Sequence, residues 1–81
     1  MSREEVLARV TEIIRDEFDD EEIEVTYETA AKDVEGWDSL SHISIVHDME
    51  STFGIKFTMA EVQSLQNVGE YIDAIIRHAG E

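Results

Sequence analysis

Residues 36–54 read GWDSLSHISIVHDMESTFG, and this stretch decides the fold. Asp38 and Ser39 are short polar residues, and either can accept hydrogen bonds from the exposed amides of a helix start. After them Leu40, Ile43, Val46, Met49 and Phe53 recur at three- and four-residue spacing, the period of a helix with one apolar face. Gly54 follows Phe53, where a helix commonly ends on a glycine. These signals together predict a helix over residues 39–53.

Working outward toward the N-terminus, Val6, Leu7, Val10, Ile13, Ile14 and Phe18 repeat at the same spacing and predict a helix over residues 3–18. Arg3, Arg9 and Arg15 occupy its other faces. Between the two helices, residues 16–24 carry seven acids in nine positions, and Ile23, Val25 and Tyr27 then alternate. That alternation could mark a strand, but the sequence offers no second strand to pair with it. Residues 19–37 are therefore expected to form a long loop pinned by a few apolar anchors and ending at Gly36. A loop of this length is uncommon in a small domain and often functional.

Toward the C-terminus, Ile55 and Phe57 lead to a short helix near 59–65. Val68, Ile72, Ile75, Ile76 and Ala79 mark a last helix over about 67–79, with Asn67 as its cap. The expectation is an all-α protein: a small four-helix bundle with a long first loop and a short third helix. With 81 residues there is room for one core, so a single domain over 1–81 is expected.

Composition excludes several functions. The chain has no cysteine, so neither disulfides nor a cysteine-rich zinc site can be built, and any thiol chemistry must come from an added group. No run of 18 apolar residues occurs, and MSREEV places charges where a signal peptide would be apolar. No membrane insertion and a cytoplasmic location are expected. The net charge is −14, from 20 acidic residues against six Lys plus Arg. Such a charge disfavours nucleic acid, whose binding depends on cations meeting phosphates, and it steers basic surfaces toward the protein. The acidic run does not match a calcium loop, which needs glycine at its sixth position. Counting from Asp16 that residue is Glu21, and from Asp33 it is Asp38, so no metal site is assigned.

Ser39 and His42 stand three apart on one helix, near His47 and Asp48, and this invites a hydrolase reading. A serine hydrolase also needs an oxyanion hole and a substrate cleft, which a chain of this length scarcely provides. The chain is not expected to be an enzyme. His78 is expected at the surface beside the last carbonyls of the final helix.

From Gly36 onward the sequence resembles the acyl carrier protein family across nearly its whole length. The resemblance rests on Asp38-Ser39-Leu40 at a helix start, the apolar stripe closed by Phe53, the Gly54-Ile55-Lys56-Phe57 connection, Val68-Gly69 and the last helix. The first helix and the acidic loop agree in length and position.

The resemblance implies a carrier of acyl thioesters on a 4'-phosphopantetheine arm, derived from coenzyme A and attached to Ser39. It implies that Asp38 caps the helix and helps present the serine, and that Leu40 packs below Ser39 and contributes to partner contact. The implied partners are a phosphopantetheinyl transferase, an acyl ligase or transacylase, and synthase enzymes docking on the second helix, with the carrier a monomer. Val46, Met49, Ile72 and Ile75 are either acyl-chain lining or ordinary core.

The sequence also departs from the family. Trp37 stands where many members have a small residue, as an exposed partner contact or as a lid over the first loop. The second helix carries Ser41, His42, Ser44, His47, Ser51 and Thr52 where fatty-acid carriers are acidic, leaving Asp48 and Glu50. A specialised fatty acid, polyketide or related pathway fits this better than primary fatty-acid synthesis. The same arm on an aminoacyl or peptidyl carrier, or a carrier-like interaction module that is never modified, are the rival readings.

Overall fold

The structure, a computed structural model, describes residues 2–80; Met1 and Glu81, the ends of the expected 1–81 span, lie outside the described residues. Four helices follow in order: α1 (Arg3–Phe18), α2 (Ser39–Phe53), α3 (Met59–Ser64) and α4 (Val68–Ala79). A single 3₁₀ turn, Ala31–Asp33, interrupts the first loop. No strand forms among the described residues.

The apolar periods set what each helix buries. Val6, Val10, Ile13 and Ile14 of α1 face Ile45, Val46 and Met49 of α2, and Val68, Tyr71, Ile72, Ala74 and Ile75 of α4 complete the core with Phe57. Burying each such valine or isoleucine is worth roughly 1.5–3 kcal/mol relative to exposure. Short α3 has no fully buried residue and contributes only the partly buried Val62, with Leu65 just beyond its end.

The helix ends follow their capping chemistry. Ser2, Asp38, Thr58 and Asn67 each accept from the backbone amide three residues on. Gly54 closes α2 at φ +65°, a left-handed conformation that costs glycine little and most residues more.

The first loop runs from Asp19 to Trp37, and it is held rather than free. Arg15 Nε donates to the Ile23 carbonyl at 2.8 Å, and Ile23, Val25 and Tyr27 pack against the core. The amides of Val68 and Gly69 donate to the carbonyls of Thr29 and Tyr27, both at 2.8 Å, so the loop caps the start of α4. A Cβ at Gly69 would lie 2.8 Å from the Tyr27 carbonyl oxygen. Glycine is required here by close approach of backbone to backbone.

Candidate functional site

The site is built at the start of α2. Asp38 has extended backbone, φ −113° and ψ −170°, and its Oδ1 accepts from the Ser41 amide at 2.9 Å. Its carbonyl accepts the first helical bond, from the His42 amide, at 2.9 Å. Of the two residues able to cap this helix, Asp38 does so. The Ser41 amide is the main reason that its carboxyl is held below the usual carboxylate range. The Ser41 hydroxyl donates to the Gly36 carbonyl at 3.3 Å and ties down the preceding turn.

Ser39 is therefore the first residue of α2, and it is exposed. Leu40 is 79% exposed, so it does not pack beneath the serine as expected; it projects into solvent, and so does Ile43 at 63%. With Met59, also exposed, these side chains are the large apolar groups left uncovered among the described residues.

Ser39 opens onto a groove of about 720 Å³ bounded by Ala31, Trp37, Asp38, His42, Ile43 and Gln63. Behind it lies a much smaller, partly enclosed cavity of about 70 Å³ among Met49, Leu65, Val68, Tyr71 and the loop residues Thr29–Ala31. Ala31, Trp37 and His42 line both spaces and form the partition between them. Of the four residues weighed as acyl-chain lining, Met49 reaches this cavity, while Val46, Ile72 and Ile75 are packed into the core.

The partition is a hydrogen-bonded unit. Trp37 Nε1 lies 3.2 Å from His42 Nδ1, and His42 Nε2 lies 2.8 Å from the Tyr71 hydroxyl. Indole only donates, so His42 Nδ1 accepts, and neutral imidazole then carries its proton on Nε2 and donates it to Tyr71. Burial pushes the His42 imidazole below the usual histidine range and favours this neutral form. Burial also raises the Tyr71 phenol to about 12, with the Glu70 charge adding to it. Ring contacts extend the unit on both sides, from Trp37 to Phe18 at 5.9 Å and from Tyr71 to Phe57 at 5.7 Å between centroids.

His42 thus departs from the expectation that it decorates the exposed face of α2. Both of its ring nitrogens are engaged, so neither serves Ser39 as a general base, and the hydrolase reading loses its base. His47 and Asp48 are exposed on the helix beyond it. Trp37 is half-buried over the end of α1, which corresponds to the lid and not to the exposed contact. His78 also departs from expectation. Its Nε2 lies 2.9 Å from both carboxylate oxygens of Glu61, and its ring packs on Phe57.

The signal for His42 was present in the sequence. It lies three, four and seven residues before Ile45, Val46 and Met49, on the face they bury. Nothing in the sequence singled out Tyr71 from its apolar neighbours.

An arm joined through a phosphodiester fits this place. The serine is exposed and the groove beside it is large and open. The start of a fifteen-residue helix supplies the partial positive charge that stabilises an added phosphate.

Comparison with known proteins agrees. Residues 8–75 match the family described as phosphopantetheine attachment site. An acyl carrier protein of Thermotoga maritima is 35% identical over 79 residues, covering 98% of each chain, and one of Myxococcus xanthus is 36% identical over 74 residues, covering 91% of this chain and 94% of its own. Among solved structures, the holo acyl carrier protein of Geobacter metallireducens superposes with a TM-score of 0.86 at 40% identity, covering 93% of this chain and 86% of that one. The Thermotoga maritima acyl carrier protein superposes at 0.84 with 25% identity, covering 99% and 93%.

The fold and the match over residues 8–75 thus define a phosphopantetheine-bearing carrier. The chain belongs to the acyl carrier protein family. Membership makes it a non-catalytic carrier that works with a phosphopantetheinyl transferase and with synthase enzymes. No helix among the described residues is long and apolar enough to cross a membrane.

Proposed function

We propose that Ser39 is the attachment serine and that the chain is a single carrier domain, monomeric and cytoplasmic, serving a specialised acyl pathway. The observation that carries this is the exposed hydroxyl of Ser39 at the first position of α2, beside an aspartate cap and an open groove.

In the attachment step Ser39 Oγ attacks the β-phosphorus of coenzyme A. The Oγ–P bond forms, the bond to 3',5'-ADP breaks, and the hydroxyl proton passes to a base of the transferase. Asp38 holds the α2 start in place and Leu40 offers an apolar contact to the transferase. Once attached, the arm supplies the thiol that this cysteine-free chain lacks, and acyl groups ride on it as thioesters.

The surface of α2 supports the specialised pathway. Glu50 Oε2 accepts from the Phe57 amide at 2.9 Å, so this acid serves the α2–α3 connection and is not free for docking. Asp48 is then the remaining exposed acid of α2, and Leu40, Ile43 and Met59 provide apolar contact area. Partners that dock here read apolar side chains more than negative charge.

The test is intact mass after incubation of the apo protein with coenzyme A, magnesium and a promiscuous phosphopantetheinyl transferase. A gain of one phosphopantetheine group that Ser39→Ala abolishes is expected. An unchanged mass beside a working control carrier would sink the assignment and favour the unmodified interaction module. Loading the product from a panel of activated fatty acids and amino acids then separates an acyl from an aminoacyl carrier.

A further inference from the structure

We propose that the Trp37–His42–Tyr71 unit is a specificity-determining partition that admits only short acyl groups, of about four carbons or fewer, into the core and keeps longer chains in the outer groove. This rests on the assignment of Ser39 as the attachment point.

Three observations carry it. The space behind the partition is about 70 Å³, while an apolar cavity of about 150 Å³ accommodates benzene, so roughly three non-hydrogen atoms fit, matching the part of a butyryl group beyond its carbonyl. The partition is held at both ends, because His42 accepts from Trp37 and meets the Tyr71 hydroxyl, and Tyr71 is itself only 5% exposed. A short group needs these partners parted only while it passes. A longer chain, once the space is full, would have to hold them apart and leave the half-buried indole N–H or imidazole nitrogen without its partner. The outer groove, by contrast, needs no rearrangement. It begins at Ser39, runs along Ile43 and Gln63, and has about ten times the volume.

Two sizes of cargo therefore meet two sites. A short acyl group enters past His42 and contacts Met49, Leu65 and Val68. A long one lies along Ile43, where a partner enzyme reaches it without first extracting it.

The experiment uses the full chain loaded at Ser39 from acetyl-, butyryl- and octanoyl-coenzyme A by a promiscuous transferase, with loading verified by mass. Backbone amide NMR spectra are compared with the form bearing the bare arm. The expected result is that butyryl moves the Met49, Leu65 and Val68 signals, while octanoyl moves them no further and instead shifts Ile43 and Gln63. In His42→Ala, which removes the central side chain of the partition, octanoyl is expected to reach the Met49 and Val68 signals. Trp37→Phe, which keeps an aromatic lid but lacks the N–H, is expected to loosen the limit less.

The proposal is overturned if octanoyl perturbs the core of the unmodified sequence well beyond butyryl. It is equally overturned if no acyl group perturbs Met49, Leu65 or Val68 although the mass shows loading; the attachment assignment then stands alone. No mass gain at Ser39 overturns both.

Discussion

Two helix starts in this molecule use the same capping chemistry for opposite ends. At α2, Asp38 accepts from Ser41, and the turn it caps is left open, with Ser39, Leu40 and Ile43 in solvent. At α3, the Thr58 hydroxyl accepts from the Glu61 amide, and the Glu61 carboxylate accepts from the Thr58 amide in return. Glu61 then reaches α4, with Arg77 at 2.7 Å and His78 at 2.9 Å. The difference follows from what each helix buries further along. α2 is anchored by Ile45, Val46 and Met49 and, in its first turn, by His42 against Trp37 and Tyr71, so its cap need not reach another helix. α3 has six residues and none fully buried, so its cap doubles as a tether. An exposed serine is possible at one start because inward-facing residues further along the same helix hold it in place.

The comparison breaks first at Ser39. Ser39→Ala is expected to abolish phosphopantetheine attachment completely by mass, while Ser41→Ala, which frees the Gly36 carbonyl, keeps it; thermal melts of Ser39→Ala should match the parent. A third helix start supplies the next largest effect. Gly69→Ala drives a methyl group toward the Tyr27 carbonyl and should cost about 1–3 kcal/mol, read as a shift in urea midpoint, because backbone cannot yield as a side chain can. If that variant is as stable as the parent, the loop is not the rigid cap of α4 described above.

At α3, Glu61→Ala removes the box and both tethers and should cost about 1–2 kcal/mol. Glu61→Gln keeps an acceptor for the Thr58 amide and should cost less than about 1 kcal/mol, in line with exposed ion pairs. Equal losses in the two variants would show that charge, and not capping, holds α3.

The smallest expected effect is on acid stability. The Glu61 carboxyl falls from 4.5 to about 2, first through the Thr58 amide and then through His78. Its contribution is full above pH 4.5 and is lost as the pH falls toward about 2. His42 acts in the same direction at higher pH. The unfolded chain binds its proton near pH 6.5 and the folded chain does so only below that, so stability declines as the pH drops through 6.5. Melting temperatures across this range should fall in two stages, the upper one absent in His42→Ala.

Much of this was legible in the sequence. The ranges 3–18 and 39–53 were readable because apolar spacing marks both, and at the second a short polar cap and a closing glycine coincide with it. Asn67 and Gly54 likewise announced their roles. What escaped was set by contacts across the chain. The bonds from Val68 and Gly69 to Thr29 and Tyr27 join backbone to backbone and leave no pattern beyond a glycine. His42 and Ile43 reversed their expected places, the imidazole turning inward because Trp37 and Tyr71 satisfy it and the isoleucine outward because α2 presents its face at 42, 45, 46 and 49. His78 was drawn from the surface by Glu61, seventeen residues away.

Trp37 is the one tryptophan of the chain, and it sits on the wall between the outer groove and the core, against Phe18 and His42. Indole emission from this protein therefore comes from one place, and it is the place past which short cargo is proposed to move. Quenching and colour of that light report the wall's hydration and its contact with the imidazole, with no label attached. The residue that shapes the entrance is also a built-in optical probe of it.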